Sequence, residues 1–505
     1  MTEALLASNW GVWVPVATLA SSLLPGLVIF CLPERSVRLR TFLNLCGAFA
    51  KLALVGVMLW GIYRGYAFEA RLTLLPGLDV ALQADLLALL FVMLSAILWT
   101  LTTVYAIGYL EGSPHRSRFF GFFSLCVSAT TGVALAGNLF TLLVFFEMLT
   151  LATYPLVIHR GTPRALAAGR TYLFYTLSAG VLLLVAVAWA QVMAGPRDFV
   201  AGGFMRHLDA SHRTALIILF TCLIAGFGVK AALFPLHGWL PLAMVAPAPV
   251  SALLHAVAVV KAGAFSIVRV VYEVFGVEFA ASLGVLTPLA AVAAFTILYG
   301  SVRALAQDEL KKRLAYSTVS QVSYIVLGAA VLGPLSTVGG LVHLVHQGLM
   351  KITLFFSAGN IAETLGVHHV SEMDGIGRRM PWTMSAFTIG ALGMIGVPPV
   401  AGFVSKLYLG MGAAESGQWW VIGVLAASSL LNAAYFLPIL YRAWFRPQTS
   451  PWPEDARPGR EAPLALLAPA LLTALFALGV GVLASAPFSP LEWVRLIAER
   501  EFGYD

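Results

Sequence analysis

The sequence predicts an all-α polytopic membrane protein of about fourteen transmembrane helices. Of its 505 residues, 59% are hydrophobic and only 11% are charged. A soluble domain carries about 25% charged residues. The apolar content is spread over nearly the whole chain, so no polar block is long enough to make a soluble domain. The apolar runs are also continuous for about twenty residues, the length of a spanning helix, whereas an outer-membrane barrel needs alternating strands of about ten.

In order, the expected spans are 13–32, 42–62, 83–107, 119–136, 138–158, 171–192, 214–247, 250–273, 279–302, 314–332, 335–359, 382–410, 418–441 and 462–485. The seventh, eleventh and twelfth are long, and each is interrupted or flanked by Gly, Pro or charge. Residues 446–463 read as a polar, Pro-rich cytoplasmic loop, and 487–503 as a short amphipathic helix on the outer surface. The N-terminus lacks a basic region followed by a small-residue cleavage site, so no removable signal peptide is expected.

Net charge is +7, but the basic residues are scattered among short loops, which reports topology and gives no nucleic-acid patch. The loops after spans one, three, five, nine, eleven and thirteen hold 18 Lys and Arg against 8 on the opposite side, which places both termini outside. Five basic residues remain, Lys51, Lys230, Lys261, Lys351 and Lys406. All lie inside spans and all are lysines. Apart from the loop pair Lys311 and Lys312, Arg fills the loops while Lys is kept for the membrane. Burial readily loosens a lysine's proton, whereas arginine stays charged. An intramembrane lysine marks a functional candidate by default. The split is a signature of proton handling.

The stretch from Gly228 to Val271 carries Lys230, His237, His255 and Lys261 and is broken by Pro235, Pro241, Pro247 and Pro249. Prolines beside intramembrane charge suggest a discontinuous helix at a transport site. Lys406, in GVPPVAGFVSKLYLG, mirrors this arrangement in the second half. Glu147, in FFEMLTLATYPLV, reads as the one acid deep in a span, and its natural mate is Lys230. An opposing charge there would hold the lysine's proton, and separating the two would release it. Asp85, near the start of span three, reads as an unremarkable interfacial acid.

His255 precedes Lys261 by six residues, and His343 and His346, on one helical face, precede Lys351. Histidine titrates near neutral pH and can relay between lysines; a hydrogen bond in helix packing is the plainer reading of any one of them. His237 either sits in a water-filled gap or caps the break. Ser317, Ser320 and Gln321 either bind water between the halves or pack helices. Lys51 is the outlier, a candidate for snorkelling, for sealing against another subunit, or for function.

The histidines are not joined by carboxylates or cysteines at ligand spacing, so no metal site is expected. The four cysteines read as small buried residues. Nucleotide-, flavin- and cluster-binding motifs and nucleophile elbows are missing from the sequence, so neither catalytic chemistry nor a cofactor is expected in this chain.

The segments FFEMLTLATYPLV, GVKAALFPLHGWLPLAMVAPAPVSALLHAVAVVKAGAFSIVR, DELKKRLAYSTVSQVSYI, HLVHQGLMKITLFFSAG and GVPPVAGFVSKLYL resemble the proton-conducting antiporter-like membrane subunits. That family is shared by respiratory complex I, Mrp cation/proton antiporters and membrane-bound hydrogenases. The resemblance runs from about residue 80 to 445. It implies three leading helices over 1–115, two inverted five-helix repeats over 116–275 and 276–445, and a closing loop, helix and tail over 446–505. It also implies broken helices at spans seven and twelve, with a polar axis between them. Glu147, Lys230, His255, Lys261, His343, His346, Lys351 and Lys406 match the family's translocation residues. FEMLTLATYPLV and the chain length resemble both the D-type member of the Mrp antiporters and the hydrogenase-linked members, while PAPVSALLHAVAVVKAG resembles the complex I and A-type signature.

The expectation is therefore a proton-translocating subunit of a multisubunit complex in a bacterial or archaeal cell (inner) membrane. The first version is a D-type subunit of an Mrp-like Na+/H+ antiporter. The alternative is the pump module of a redox-driven complex, hydrogenase-like or complex I-like. A standalone solute carrier would need a cavity matched to its solute. Expected partners are other membrane subunits, lipid, protons and, for the antiporter, Na+.

Overall fold

The computed structural model describes residues 2–110, 112–208, 212–449, 451–454 and 461–502. Each of the fourteen expected spans is helical. They are α1(Thr2–Phe30), α2(Val37–Tyr63), α3(Leu86–Tyr109), α4(Arg116–Ala134), α5(Leu139–Val157) and α6(Pro163–Ala194). The seventh runs as α7(Arg213–Lys230) and, after a break, α8(Trp239–Leu242). The eighth is α9(Ala248–Ala252), a π turn Leu253–Val257, α10(Val259–Arg269) and a second π turn Val270–Phe275. After a short α11(Val277–Leu283) come α12(Leu286–Leu305), α13(Leu310–Ala330) and α14(Pro334–Leu365). The chain continues through α15(Ile376–Arg379), then α16(Pro381–Ile395) and α17(Ala401–Glu415), the two pieces of the twelfth span. It closes with α18(Trp419–Phe445), α19(Leu464–Val482) and α20(Pro490–Phe502).

Among the described residues, eleven helices are long and apolar enough to cross a membrane. α4 and α13 miss that standard because they carry serines, threonines and basic residues, and the twelfth span misses it because its pieces are 15 residues each. The serines and threonines of α4 and α13 are buried against protein, so the two helices need less apolar surface than a lipid-facing span. The most apolar 18 residues of Ala248–Phe275 and of Pro334–Leu365 are all buried, whereas only a third of the corresponding stretch of α1, α2, α18 and α19 is. The eighth and eleventh spans are thus the centre, and α14 packs against α13, α16, α17 and α19 around it. The titratable stretches lie in protein rather than in lipid.

Local sequence explains the helix ends. Asp85, Asn138 and Thr162 cap α3, α5 and α6, accepting from the amides of Ala88, Thr141 and Ala165 at 2.7, 2.8 and 3.1 Å. In the first break, α7 ends at Lys230, Ala232 takes a left-handed φ of +56°, and Phe234–Pro235 is cis. A left-handed alanine costs about 1–2 kcal/mol, so packing must impose it. α10 supplies that packing: a Cβ on Gly263 would stand 2.2 Å from the Ala231 nitrogen. In the second break, Gly396 at φ +96° ends α16 with Val397 N donating to Leu392 O, and Pro398–Pro399 is cis.

One element was not anticipated. The strands β1(Phe68–Leu75) and β2(Leu78–Ala84) form an antiparallel hairpin, Phe68 opposite Ala84. Its second strand is tied to the α4–α5 connection by Gln83 N to Leu135 O and Gly137 N to Ala81 O. The tail read as 487–503 is α20, and Leu491, Val494, Ile497 and Ala498 bury its apolar side against α3 and α14. Residue 503 and part of the 446–463 loop lie outside the described residues. The cysteine expectation holds for Cys126, which is buried; Cys31 and Cys46 instead face outward.

Candidate functional site

Most of the expected translocation residues lie inside the bundle. Lys230, His255, Lys261, His343, His346 and Lys351 are all buried, and Lys406 is partly so. The partners found for these lysines are carbonyls, hydroxyls and aromatic rings.

Lys230, the last residue of α7, donates to the backbone carbonyl of Phe146 and stands 3.5 Å above the Phe146 ring. Glu147 makes no direct ion pair with Lys230, but it is the opposing charge that acts on the lysine electrostatically. That glutamate is the next residue along α5, but its carboxylate turns toward α6. A Cβ on Gly180 would sit 2.7 Å from Glu147 Oε2, and Oε1 has no protein partner. Helix geometry is the reason: consecutive residues point about 100° apart, so α5 offers Lys230 a carbonyl while Glu147 points elsewhere. His237 lies in the first break with its ring beside Phe234, Tyr299 and Tyr316, at centroid distances of 5.8, 4.9 and 6.4 Å.

His255 belongs to the first π turn of span eight, stacked on Phe355 at 4.5 Å, and neither ring nitrogen has a protein partner. A π turn widens the helix and often sits at a functional position. Lys261 Nζ donates to Leu344 O on α14 at 2.6 Å. On α14, His343 Nδ1 meets Ser405 Oγ at 2.8 Å, and its ring stacks on Tyr324 at 5.0 Å. His346 has no protein partner, and neither has the Gln321 amide. Buried polar atoms demand hydrogen bonds, so these open donors and acceptors mark where the interior is polar enough to hold water.

The second half is connected more tightly. Lys351 Nζ donates to Leu314 O at 3.2 Å and Ser317 Oγ at 2.7 Å. Ser317 Oγ meets Tyr435 OH at 2.8 Å, and Tyr435 OH donates to Asn432 Oδ1 at 2.5 Å. Asn432 Nδ2 donates to Met394 O at 3.0 Å. That carbonyl also accepts from Lys406 Nζ at 3.0 Å, and Ile395 O accepts at 2.8 Å. Ser429 completes the Lys406 shell at 3.0 Å. Lys406 is thus seated on the open carbonyls where α16 stops, at the negative end of its dipole. Gly396 is required there twice over, for its φ and because a Cβ would stand 2.9 Å from Lys406 Cδ. Ser320 belongs elsewhere: it meets Ser301 on α12 at 2.9 Å and ties two helices together.

Ser429, Asn432 and Tyr435 were not among the sequence candidates. The polar residues Ser428, Asn432 and Tyr435, spaced four and three apart in an otherwise apolar helix, were the available signal. Lys51 is buried on α2, away from this axis, bonded to Ser22 and Thr131.

A second charged region also escaped the sequence reading. Glu273, in the second π turn at the end of the eighth span, is a further acid that is completely buried. Arg269 Nη1 bonds Glu273 and Asp85, the latter at 2.6 Å, and Nη2 bonds Asp85 at 3.1 Å. Arg500 of α20 adds Nη2 to Glu273 Oε1 at 2.9 Å. Glu501 lies beside them, its carboxyl pushed up to about 7 by burial and by Glu273. Nearby, Arg71 of the hairpin bridges Asp79 at 3.0 Å and Asp198 at 2.5 Å. Its guanidinium is held above its usual range by hydrogen bonds to Asp198, Glu69 and Asp79.

Among the described residues no group of three His, Cys, Asp or Glu is arranged to hold a metal ion. Residues 136–432 match the family model described as NADH:quinone oxidoreductase/Mrp antiporter, TM. Residues 77–120 match the one described as NADH-Ubiquinone oxidoreductase (complex I), chain 5 N-terminus. The chain is 39% identical over 427 residues to the N subunit of the NADH-quinone oxidoreductase of Desulforudis audaxviator (strain MP104C), covering 82% of this chain and 83% of the relative. It is 30% identical over 406 residues to the D-type subunit of the Na(+)/H(+) antiporter of Bacillus subtilis (strain 168), covering 79% and 80%. Its fold is similar to a chain of the membrane-bound sulfane sulfur reductase, an archaeal respiratory membrane complex, with TM-score 0.85, 24% identity and coverage of 97% of both chains.

Proposed function

Because the chain belongs to the NADH:quinone oxidoreductase/Mrp antiporter transmembrane family, we propose that it moves protons along the Lys230–His255–Lys261–His343–His346–Lys351–Lys406 axis. It acts as the proton-conducting subunit of a multisubunit complex. The observation that carries this reading is the linked chain from Lys351 to Lys406, ending on the open carbonyls of the twelfth span. Each lysine there is held by neutral oxygens, so its proton can leave without stranding a buried carboxylate. The two repeats, over 116–275 and 276–445, each contribute one broken helix, at Lys230 and beside Lys406.

Glu147 acts on Lys230 at a distance in this reading. Rotating its carboxylate away from Gly180 brings charge to the lysine, and the return releases the proton. Both termini face outside, with the Arg-rich loops in the cytoplasm.

Two assemblies fit. The D-type subunit of an Mrp-like Na+/H+ antiporter is supported by the 30% relative. A redox-driven complex is supported by the 39% relative, whose name places it in an NADH-quinone oxidoreductase. The test is proton movement in vesicles carrying the native complex, comparing wild type with Lys230→Ala and Glu147→Ala. Loss of transport in assembled complexes is expected; normal transport in both variants would sink the axis. Repeating the assay with Na+ or with a redox donor then selects the assembly.

A further inference from the structure

Lys51 is as deeply buried as any lysine of the axis, yet it belongs to a different bundle. It stands fourteen residues into α2, a rise of about 21 Å, which is too deep for its stem to reach either interface. Four helices converge on it. Nζ donates to Ser22 Oγ of α1 at 2.8 Å and to Thr131 Oγ1 of α4 at 2.6 Å, and lies 5.1 Å from the Trp99 ring centroid of α3. The residue is 0% exposed.

A polar seam leads to it. Arg40, Asn44 and Lys51 share the buried face of α2, and α4 answers with Ser117 and Ser124. Arg40 Nη1 donates to Ser117 Oγ at 2.8 Å, Asn44 Nδ2 to Arg40 O at 2.9 Å, and Ser124 Oγ to Asn44 Oδ1 at 3.4 Å. The seam opens at Glu34, which is 4.0 Å from Arg40 and 47% exposed. On the inner side, Ser95, Trp99 and Thr103 follow one another at four-residue spacing on α3. Their Oγ, Nε1 and Oγ1 atoms are buried without a protein partner.

We propose that Lys51 is a proton-binding site of its own, loaded along the α2–α4 seam from the Glu34–Arg40 face. The charged groups of the four helices near this seam are Arg40 and Arg116 with Glu34 before them. α1 and α3 bring no charged side chain to the depth of Lys51. Hydroxyls or an asparagine would tie these helices at much lower cost than an amine. What lysine adds is an exchangeable proton.

The inference rests on the chain conducting protons, and the test keeps the two claims apart. Proton movement is measured across a pH series in vesicles carrying the native complex, for Lys51→Gln, Lys51→Arg and, alongside, Lys230→Ala. Glutamine keeps hydrogen bonding and arginine keeps charge, so a purely structural tie tolerates at least one of them. A proton site tolerates neither, and both assembled variants should lose at least about tenfold. Lys51 variants transporting within about twofold of wild type, beside an inactive Lys230→Ala, overturn the Lys51 site alone. Normal transport in all three brings down the axis as well. If Lys51 variants do not assemble, Thr131→Val and Ser22→Ala replace them. Each should shift the pH profile of transport, and an unchanged profile overturns the proposal.

Discussion

The molecule holds two kinds of buried cation. The lysines of the axis rest on backbone carbonyls, hydroxyls and aromatic faces. Arg269, buried to a similar depth, is gripped by two carboxylates, with a second arginine behind them. A buried ion pair has met its desolvation cost through Coulomb attraction and is expensive to break. A lysine among neutral oxygens has no such partner to strand. The first arrangement fixes charge in place, and the second leaves it free to move. Neighbouring segments of one span carry both, since Lys261 and Arg269 lie on the same helix α10.

Substitutions should divide along that line. The largest loss of stability is expected for Arg269→Met, which leaves Asp85 and Glu273 with Arg500 as their one remaining guanidinium. It should cost about 3–5 kcal/mol, read as a fall in thermal stability and in the amount of assembled complex. Lys351→Ala should behave in the opposite way, assembling normally while proton movement drops by about a hundredfold. A Lys351→Ala variant that unfolds, or an Arg269→Met variant that stays stable, would erase the distinction. Tyr435→Phe removes one hydroxyl from the link between Ser317 and Asn432. It should slow transport about tenfold, in keeping with one lost hydrogen bond of about 1–1.5 kcal/mol, without changing assembly.

The smallest effect is pH-dependent and belongs to the fixed region. Glu501 has its carboxyl raised from 4.5 to about 7, by burial first and by Glu273 next. The docked tail therefore binds that proton more tightly than the undocked one. The stabilisation is complete below about pH 4.5 and is lost as pH climbs through about 7. Hydrogen exchange of α20 should accelerate over that window, and Glu501→Gln should flatten the response.

Much of the architecture was readable in the chain. Runs of about twenty apolar residues located fourteen stretches that are helical over most of their described residues, because in lipid every backbone group must be satisfied within its own segment. Proline and glycine located both breaks. The lysines could be singled out because charge inside an apolar run is conspicuous. What escaped depends on partners distant in sequence. Tyr435 looks like an ordinary aromatic until Ser317, 118 residues away, meets its hydroxyl. Asp85 looked like an unremarkable interfacial acid; it caps α3, and Arg269 reaches it from 184 residues on. The Glu147–Lys230 pairing was inferred from charge alone, and side-chain direction on α5 leaves the two acting on each other electrostatically without a direct ion pair.

The clasp around Glu273 has a consequence for biosynthesis. Asp85, Arg269 and Glu273 leave the ribosome well before Arg500, which reaches Glu273 only when the last helix has emerged and folded back onto α3 and α14. Until then the nascent chain holds two acids against one guanidinium. The last helix brings Arg500 and Glu501 together, so completion of the polypeptide gives Glu273 a second guanidinium without changing the formal charge of the clasp. A chain cut short before residue 490 leaves Glu273 with Arg269 alone.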